Sequence, residues 1–182
     1  GARTNQNPEE LVEMSEPSES AGLASRFPVS VLMERRKVEG NPWIAESWTA
    51  LGVTVGGSSA AAGGGERPVC LVSGPAAAQY LCTGLTVELV RDEAESYYHN
   101  LMGGSPGCYV VTRPRPDGMP EPVLVTLSFD AGQAYQEAGE TVYAVPLPPE
   151  LYRATEAFVI ASYVPEKKKK RKLENWKEAA RD

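Results

Sequence analysis

Apolar positions in this chain recur mainly with a period of two, the spacing of strands with one buried face. In FPVSVLMERRKV, Val29, Val31 and Met33 alternate with Ser30 and Leu32, so a strand runs from Phe27 into a charged end. Asn41-Pro42 marks a turn, and WTALGVTV (48–55) reads as the return strand of a hairpin. RPVCLVS and AAQYLCTGLTVELVR predict two more strands, the second bent or broken at Gly84. GCYVVTRP and EPVLVTLSFD form another pair, joined by a turn carrying the hairpin signal Asp117-Gly118. ETVYAVPL supplies a last short strand.

Two segments switch to helical spacing. Ala94, Tyr97, Tyr98 and Leu101 fall at i, i+3, i+4 and i+7. Asp92 and Glu95 stand in capping-box position before them, and Gly103-Gly104 follows. Pro148-Pro149 then opens ELYRATEAFVIASY, in which Leu151, Ala154, Phe158 and Ala161 form a stripe. Tyr152, Val159 and Tyr163 widen that apolar arc, so the helix is expected to pack on the sheet, and Pro165 stops it. The expectation is a mainly β (α+β) domain: a curved antiparallel sheet or small barrel, with a short mid-chain helix and a capping C-terminal helix. A pleckstrin-homology-like barrel has that order of elements.

The flanks differ from this body. Residues 1–27 are rich in Glu, Ser, Asn and Pro and read as a flexible acidic leader; 28–165 is a single β-rich domain. Residues 166–182 are a basic tail, in which Leu173, Trp176 and Ala180 are spaced for a short amphipathic helix. Within the body, Gly56 to Glu66 is a Gly/Ala stretch. A phosphate-binding loop would follow its last glycine with Lys-Ser or Lys-Thr; here Glu66-Arg67-Pro68 follows, so it reads as a loop.

Composition narrows the class further. Hydrophobic residues make up 42% of the chain and charged residues 23%, which is enough apolar content to build a core. The formal net charge of −6 is unevenly spread: residues 165–182 hold eight Lys/Arg against four acids, while the body is acidic. An acidic body repels nucleic acid and anionic membranes, leaving only the tail to seek them. Cys70, Cys82 and Cys108 form no CxxC pair and His99 is the sole histidine, so a zinc site lacks ligands. Three widely spaced thiols in apolar runs fit a reducing, cytoplasmic setting, and no apolar run reaches the ~18 residues of a membrane span.

Candidate chemistry is sparse. Arg35 and Arg36 beside Trp43 and Trp48 offer a basic-aromatic contact surface for a carboxylate or phosphate. Lys167, Lys168, Lys169, Lys170, Arg171 and Lys172, followed by Trp176, suit docking into a protein groove. A nucleic-acid arm is the less favoured use of that run, and would show steep salt dependence. An enzymatic alternative places Tyr97, His99 and Arg113 around a small-ligand or cofactor pocket, with Glu95 four residues before His99. No catalytic residue, metal ligand or cofactor site is assigned.

Three stretches resemble one uncharacterised bacterial family, domain of unknown function 3305. VLMERRKVEGNPWIAESWTALGV is similar to its opening, an Arg-rich strand followed by a tryptophan pair and an apolar strand. RDEAESYYHNL leading to CYVVTRP is similar to its middle signature, and EAFVIASYVPEKKKKRK to its end. The resemblance spans about residues 29–172, leaving 1–27 outside and the Gly/Ala loop as an insertion. It implies gene neighbourhoods of molybdenum-dependent formate dehydrogenases and their maturation factors. The function so implied is a non-enzymatic accessory factor, with a formate dehydrogenase subunit or maturation factor as partner. Some members carry a label of molybdopterin-guanine dinucleotide biosynthesis, but a nucleotidyl transferase would need a phosphate loop and metal-binding acid that this sequence lacks.

Overall fold

The structure, a computed structural model, describes residues 24–56 and 67–163. The expected leader and tail and the Gly/Ala loop therefore lie outside the described residues, apart from residues 24–27 and Gly56. In chain order the elements are β1 (Arg26–Lys37), β2 (Glu46–Val55), β3 (Val69–Ser73), β4 (Ala77–Glu88), α1 (Ala94–Met102), β5 (Gly107–Pro114), β6 (Pro120–Thr126), α2 (Phe129–Glu137), β7 (Thr141–Pro146) and α3 (Pro149–Ser162). The strands form two antiparallel sheets, ordered β2-β1-β4-β3 and β6-β5-β7. The fold is α+β as expected, but no closed barrel forms: the seven strands divide into a four-stranded and a three-stranded sheet.

Strand periodicity decides which faces meet. Val29, Val31 and Met33 of β1 point into one buried cluster with Ala50, Val53, Cys82 and Val87 of their neighbours. From the second sheet come Cys108, Val110, Val125 and Val145, and from the helices Tyr97, Leu101, Leu151 and Phe158. β5 is buried along nearly its whole length, because its other face carries Tyr109 against α2, where Phe129 packs edge-on at 5.8 Å. A strand covered on both faces loses polar alternation, which is why CYVV reads as a continuous apolar run. α2 approaches so closely that a Cβ at Gly132 would meet Tyr109 Cγ at 3.1 Å.

Local sequence signals account for the connections. Asp117 Oδ1 accepts the Met119 N–H at 3.1 Å and Gly118 takes φ +86°, so Asp117-Gly118 closes the β5–β6 hairpin as expected. At Gly84, also left-handed, β4 does not break; its pairing with β1 slips by one residue opposite Val29–Val31, a bulge that keeps the strand continuous. The predicted capping box is not made: Arg91–Glu93 is a separate 3-10 turn, and no side chain caps α1. α2 was not expected at all, since EPVLVTLSFD reads as strand to its end; Ser128 stops it by turning its hydroxyl onto the Ala131 N–H, an N-cap at 3.0 Å. α3 corrects the predicted stripe. Thr155 is buried and Ala161 exposed; the helix packs against α1 and sends Leu151, Phe158 and Val159 into the core cluster shared with the strands.

Candidate functional site

The β1–β2 hairpin carries four of the predicted contact residues, and the strand pleat separates them. Arg35 lies opposite Trp48 in the register, whereas Arg36 lies opposite Ser47 and so faces the other side of the sheet. On that outer side Arg36 pairs with Glu34, whose second oxygen accepts from Gln79 at 3.1 Å. The hydrogen bond from Arg36, followed by that from Gln79, holds the Glu34 carboxyl below its ordinary range. Arg36 is thus engaged within the sheet.

Arg35 instead faces a cleft of about 330 Å³ at the end of the core, walled by Trp48, Tyr80, Asp117 and Met119. Trp48 and Tyr80 lean on each other at 5.7 Å, and Arg35 Nη1 stands 3.6 Å from Glu46 Oε1, beyond hydrogen-bonding distance. Asp117 is partly occupied by Arg115 at 3.7 Å. With both signs of charge at the mouth, the cleft has no net preference for anions.

Trp43 lies away from both faces, at the hairpin tip. Asn41 Oδ1 accepts the Trp43 N–H at 2.9 Å, an Asx turn that Pro42 stiffens. The indole is left 90% exposed, with Ile44 beside it at 51%. The expected Arg35, Arg36, Trp43 and Trp48 surface is therefore three separate places: a cleft, an outer-face ion pair and an apolar tip.

Tyr97, His99 and Arg113 do not converge on a pocket. Tyr97 is buried edge-on against Phe158 at 6.1 Å; its hydroxyl accepts the Val90 N–H at 3.2 Å, and burial raises its pKa. His99 projects into solvent 3.6 Å from Glu95, the i,i+4 pair the spacing predicts. Arg113, at the far end of β5, is bonded to Glu140 at 3.0 Å. A cleft of about 270 Å³ does open beside His99, between α1 and the start of α2, with Ser96, Asn100 and Asp130 on its walls. Its Ser96 and Asn100 side chains are already partnered. Ser128 donates to Glu93 at 2.5 Å and lies 3.1 Å from the Ser96 hydroxyl, which in turn accepts the Asp130 N–H at 3.3 Å.

Two thiols are sealed: burial pushes Cys82 up to about 11 and Cys108 up to about 12, while Cys70 is exposed on β3. Among the described residues no group of three or more His, Cys, Asp or Glu is placed to hold a metal ion, and no helix is long and apolar enough to cross a membrane. Sequence reading missed two exposed apolar surfaces. One is the edge strand β3, where Val69, Leu71 and Val72 stand open. The other is the groove between α1 and α3, with Met102 and Ile160 at its rim. Neither has a motif; each shows only as apolar residues in excess of what one buried face can use. Lys167 to Lys172 and Trp176 lie outside the described residues.

The chain belongs to the family described as protein of unknown function (DUF3305), whose family model matches residues 28–172. No curated protein and no solved structure matches it.

Proposed function

We propose that this chain is a cytoplasmic, non-enzymatic accessory protein that docks a partner protein on the tip of its β1–β2 hairpin. The observation carrying this reading is Trp43, 90% exposed beside Ile44 on a turn pinned by Asn41. An indole in water contributes nothing to its own fold, yet burying one against a partner removes about 150–250 Å² of surface from solvent. Tryptophan is also among the residues that dominate binding energy at protein interfaces. The family resemblance supplies the partner class: a subunit of a molybdenum-dependent formate dehydrogenase, or a factor that matures it.

Affinity co-purification from the native host tests this with the full chain and its Trp43→Ala variant. The expected result is that formate dehydrogenase subunits or their maturation factors come down with the natural chain and are reduced at least tenfold with the variant, at an unchanged Tm. Equal recovery by both chains would remove the hairpin tip from the interface, and recovery of neither class would overturn the partner assignment.

A further inference from the structure

Tyr98 and Met102 of α1, Tyr152, Glu156 and Ile160 of α3, and Tyr163 just after it line a groove of about 270 Å³. Buried Leu101 and Val159 also line it, whereas Phe158 and Leu151, buried in the core, do not. Its apolar rim is conspicuously open among the described residues: Ile160 is 76% exposed and Met102 68%. Apolar surface of this kind, rimmed by a polar residue, marks an interaction site, and a groove between two packed helices accepts a third, amphipathic one.

We propose that the groove seats residues 173–180 of this same chain, which sit outside the described structure. Position is the first argument. Tyr163 is the last described residue, and its ring already packs on Tyr98 at 5.1 Å, so the chain leaves α3 at one end of the groove. Reach is the second. The groove spans Tyr152 to Tyr163, about 17 Å at 1.5 Å per helical residue. The nine residues 164–172 extend to about 30 Å, enough to turn and run back along it. A helix of residues 173–180 would be about 12 Å long, and it fits.

Pattern and charge complete the case. Leu173, Trp176 and Ala180 share one helical face, and a tryptophan suits a site walled by three tyrosines and a methionine. Residues 165–182 hold eight Lys/Arg against four acids, while residues 28–164 hold fifteen acids against eight Lys/Arg. The last turn of α3 carries no basic residue of its own, so its carbonyl end favours the cations that follow. This contact lies within the chain and is independent of the hairpin reading.

Trp176 reports on the seat directly. Subtracting the emission of a Trp176→Phe chain from that of the natural chain isolates its fluorescence from Trp43 and Trp48. Expected are a blue-shifted difference spectrum and acrylamide quenching reduced several-fold relative to the free peptide 164–182. Ile160→Glu should return both to the peptide's values and lower Tm no further than removing residues 164–182 does, because Ile160 is outside the core. A difference spectrum in the natural chain identical to the peptide's would overturn the proposal. So would a blue shift that survives Ile160→Glu, or one lost on dilution, since the latter places the tail on a second copy.

Discussion

Asn100 is the buried residue whose removal should cost this fold most for its size. It is buried on α1, and its amide clasps both backbone groups of Gly107, the first residue of β5. Nδ2 donates to Gly107 O at 2.8 Å, and Oδ1 accepts the Gly107 N–H at 3.0 Å. The second Nδ2 hydrogen goes to Leu127 O, just after β6, at 3.0 Å. One side chain therefore fixes the α1–β5 turn, residues 103–106, and fastens the helix to two strands. Asn100→Ala deletes three hydrogen bonds, each worth about 1 kcal/mol net, and strands their backbone partners at up to ~1–3 kcal/mol apiece. Asn100 also borders the cleft beside His99, so water can reach part of the vacated space. The expected loss is thus about 3 kcal/mol, near the lower bound set by the bonds alone.

Urea unfolding followed by circular dichroism measures it, with m compared between variants to check two-state behaviour. At m of about 2 kcal/mol/M, the midpoint should fall by about 1.5 M. Asn100→Asp is the sharper control. It keeps an acceptor for Gly107 N–H but turns an oxygen toward two carbonyls, so it should be worse than alanine at pH 7. That carboxyl would have a raised pKa in the fold, so the aspartate variant should recover as pH falls below it and a donor returns. A cost for Asn100→Ala under about 1 kcal/mol, within reach of an ordinary surface change, would refute the clasp.

The thiols and Glu34 give two further tests. A disulfide reagent at neutral pH should titrate one cysteine of the three in the native chain, Cys70, and all three in denaturant, because Cys82 and Cys108 are buried with pKa pushed up to about 11 and about 12; three fast-reacting thiols in the native chain would contradict the core. The same shifts mean that stability from these thiols is full below about pH 8.5 and declines as the unfolded chain ionises first above it. Glu34, whose pKa is lowered chiefly by Arg36, contributes stability above the ordinary carboxylate pKa of about 4.3, and loses it as pH falls through its lower folded value. The Tm difference between the natural chain and Glu34→Gln should therefore shrink toward pH 3; a difference constant from pH 7 to pH 3 would show that the charge is not what matters.

Strands were legible in the sequence wherever one face is wet. Val29, Val31 and Met33 alternate because β1 has a core side, and the Asp117-Gly118 turn is encoded by its own two residues. α2 was hidden because its message is three-dimensional. Its only buried residue is Gly132, so no apolar stripe exists for a periodicity to find, and Ser128 at its cap looks like any serine after a strand. The division into two sheets was hidden as well. β1 pairs with β2 and β4 rather than with its neighbours in sequence alone, and nothing in a list of seven strands records the order β2-β1-β4-β3. Among the candidate contact residues, spacing suggested that Arg35 and Arg36 act together; the pleat places consecutive residues on opposite faces, and Glu34, two residues before Arg36, takes it out of play.

α3 shows why an interaction surface is harder to read than a core. Leu151, Ala154, Phe158 and Ala161, widened by Tyr152, Val159 and Tyr163, make one apolar arc in the sequence, and a single wide arc implies a single broad contact. In the fold the arc divides. Leu151, Phe158 and Val159 are buried toward α1 and the core, while Tyr152 and Tyr163, joined by Ile160, turn to the groove. Burial of the first set supports the helix by itself, at about 1.5–3 kcal/mol for each large side chain. The second set adds little until something covers it. Apolar residues retained on a face that does not stabilise their own helix point to a second contact surface, and the same logic applies to Trp43 on its pinned turn. The two surfaces differ in what lies beside them. The groove lies where the chain leaves α3 toward residues 165–182, whose sequence is basic with apolar residues at helical spacing, whereas β1 and β2 bound the hairpin tip on both sides. The first is therefore proposed for the chain itself and the second for a partner.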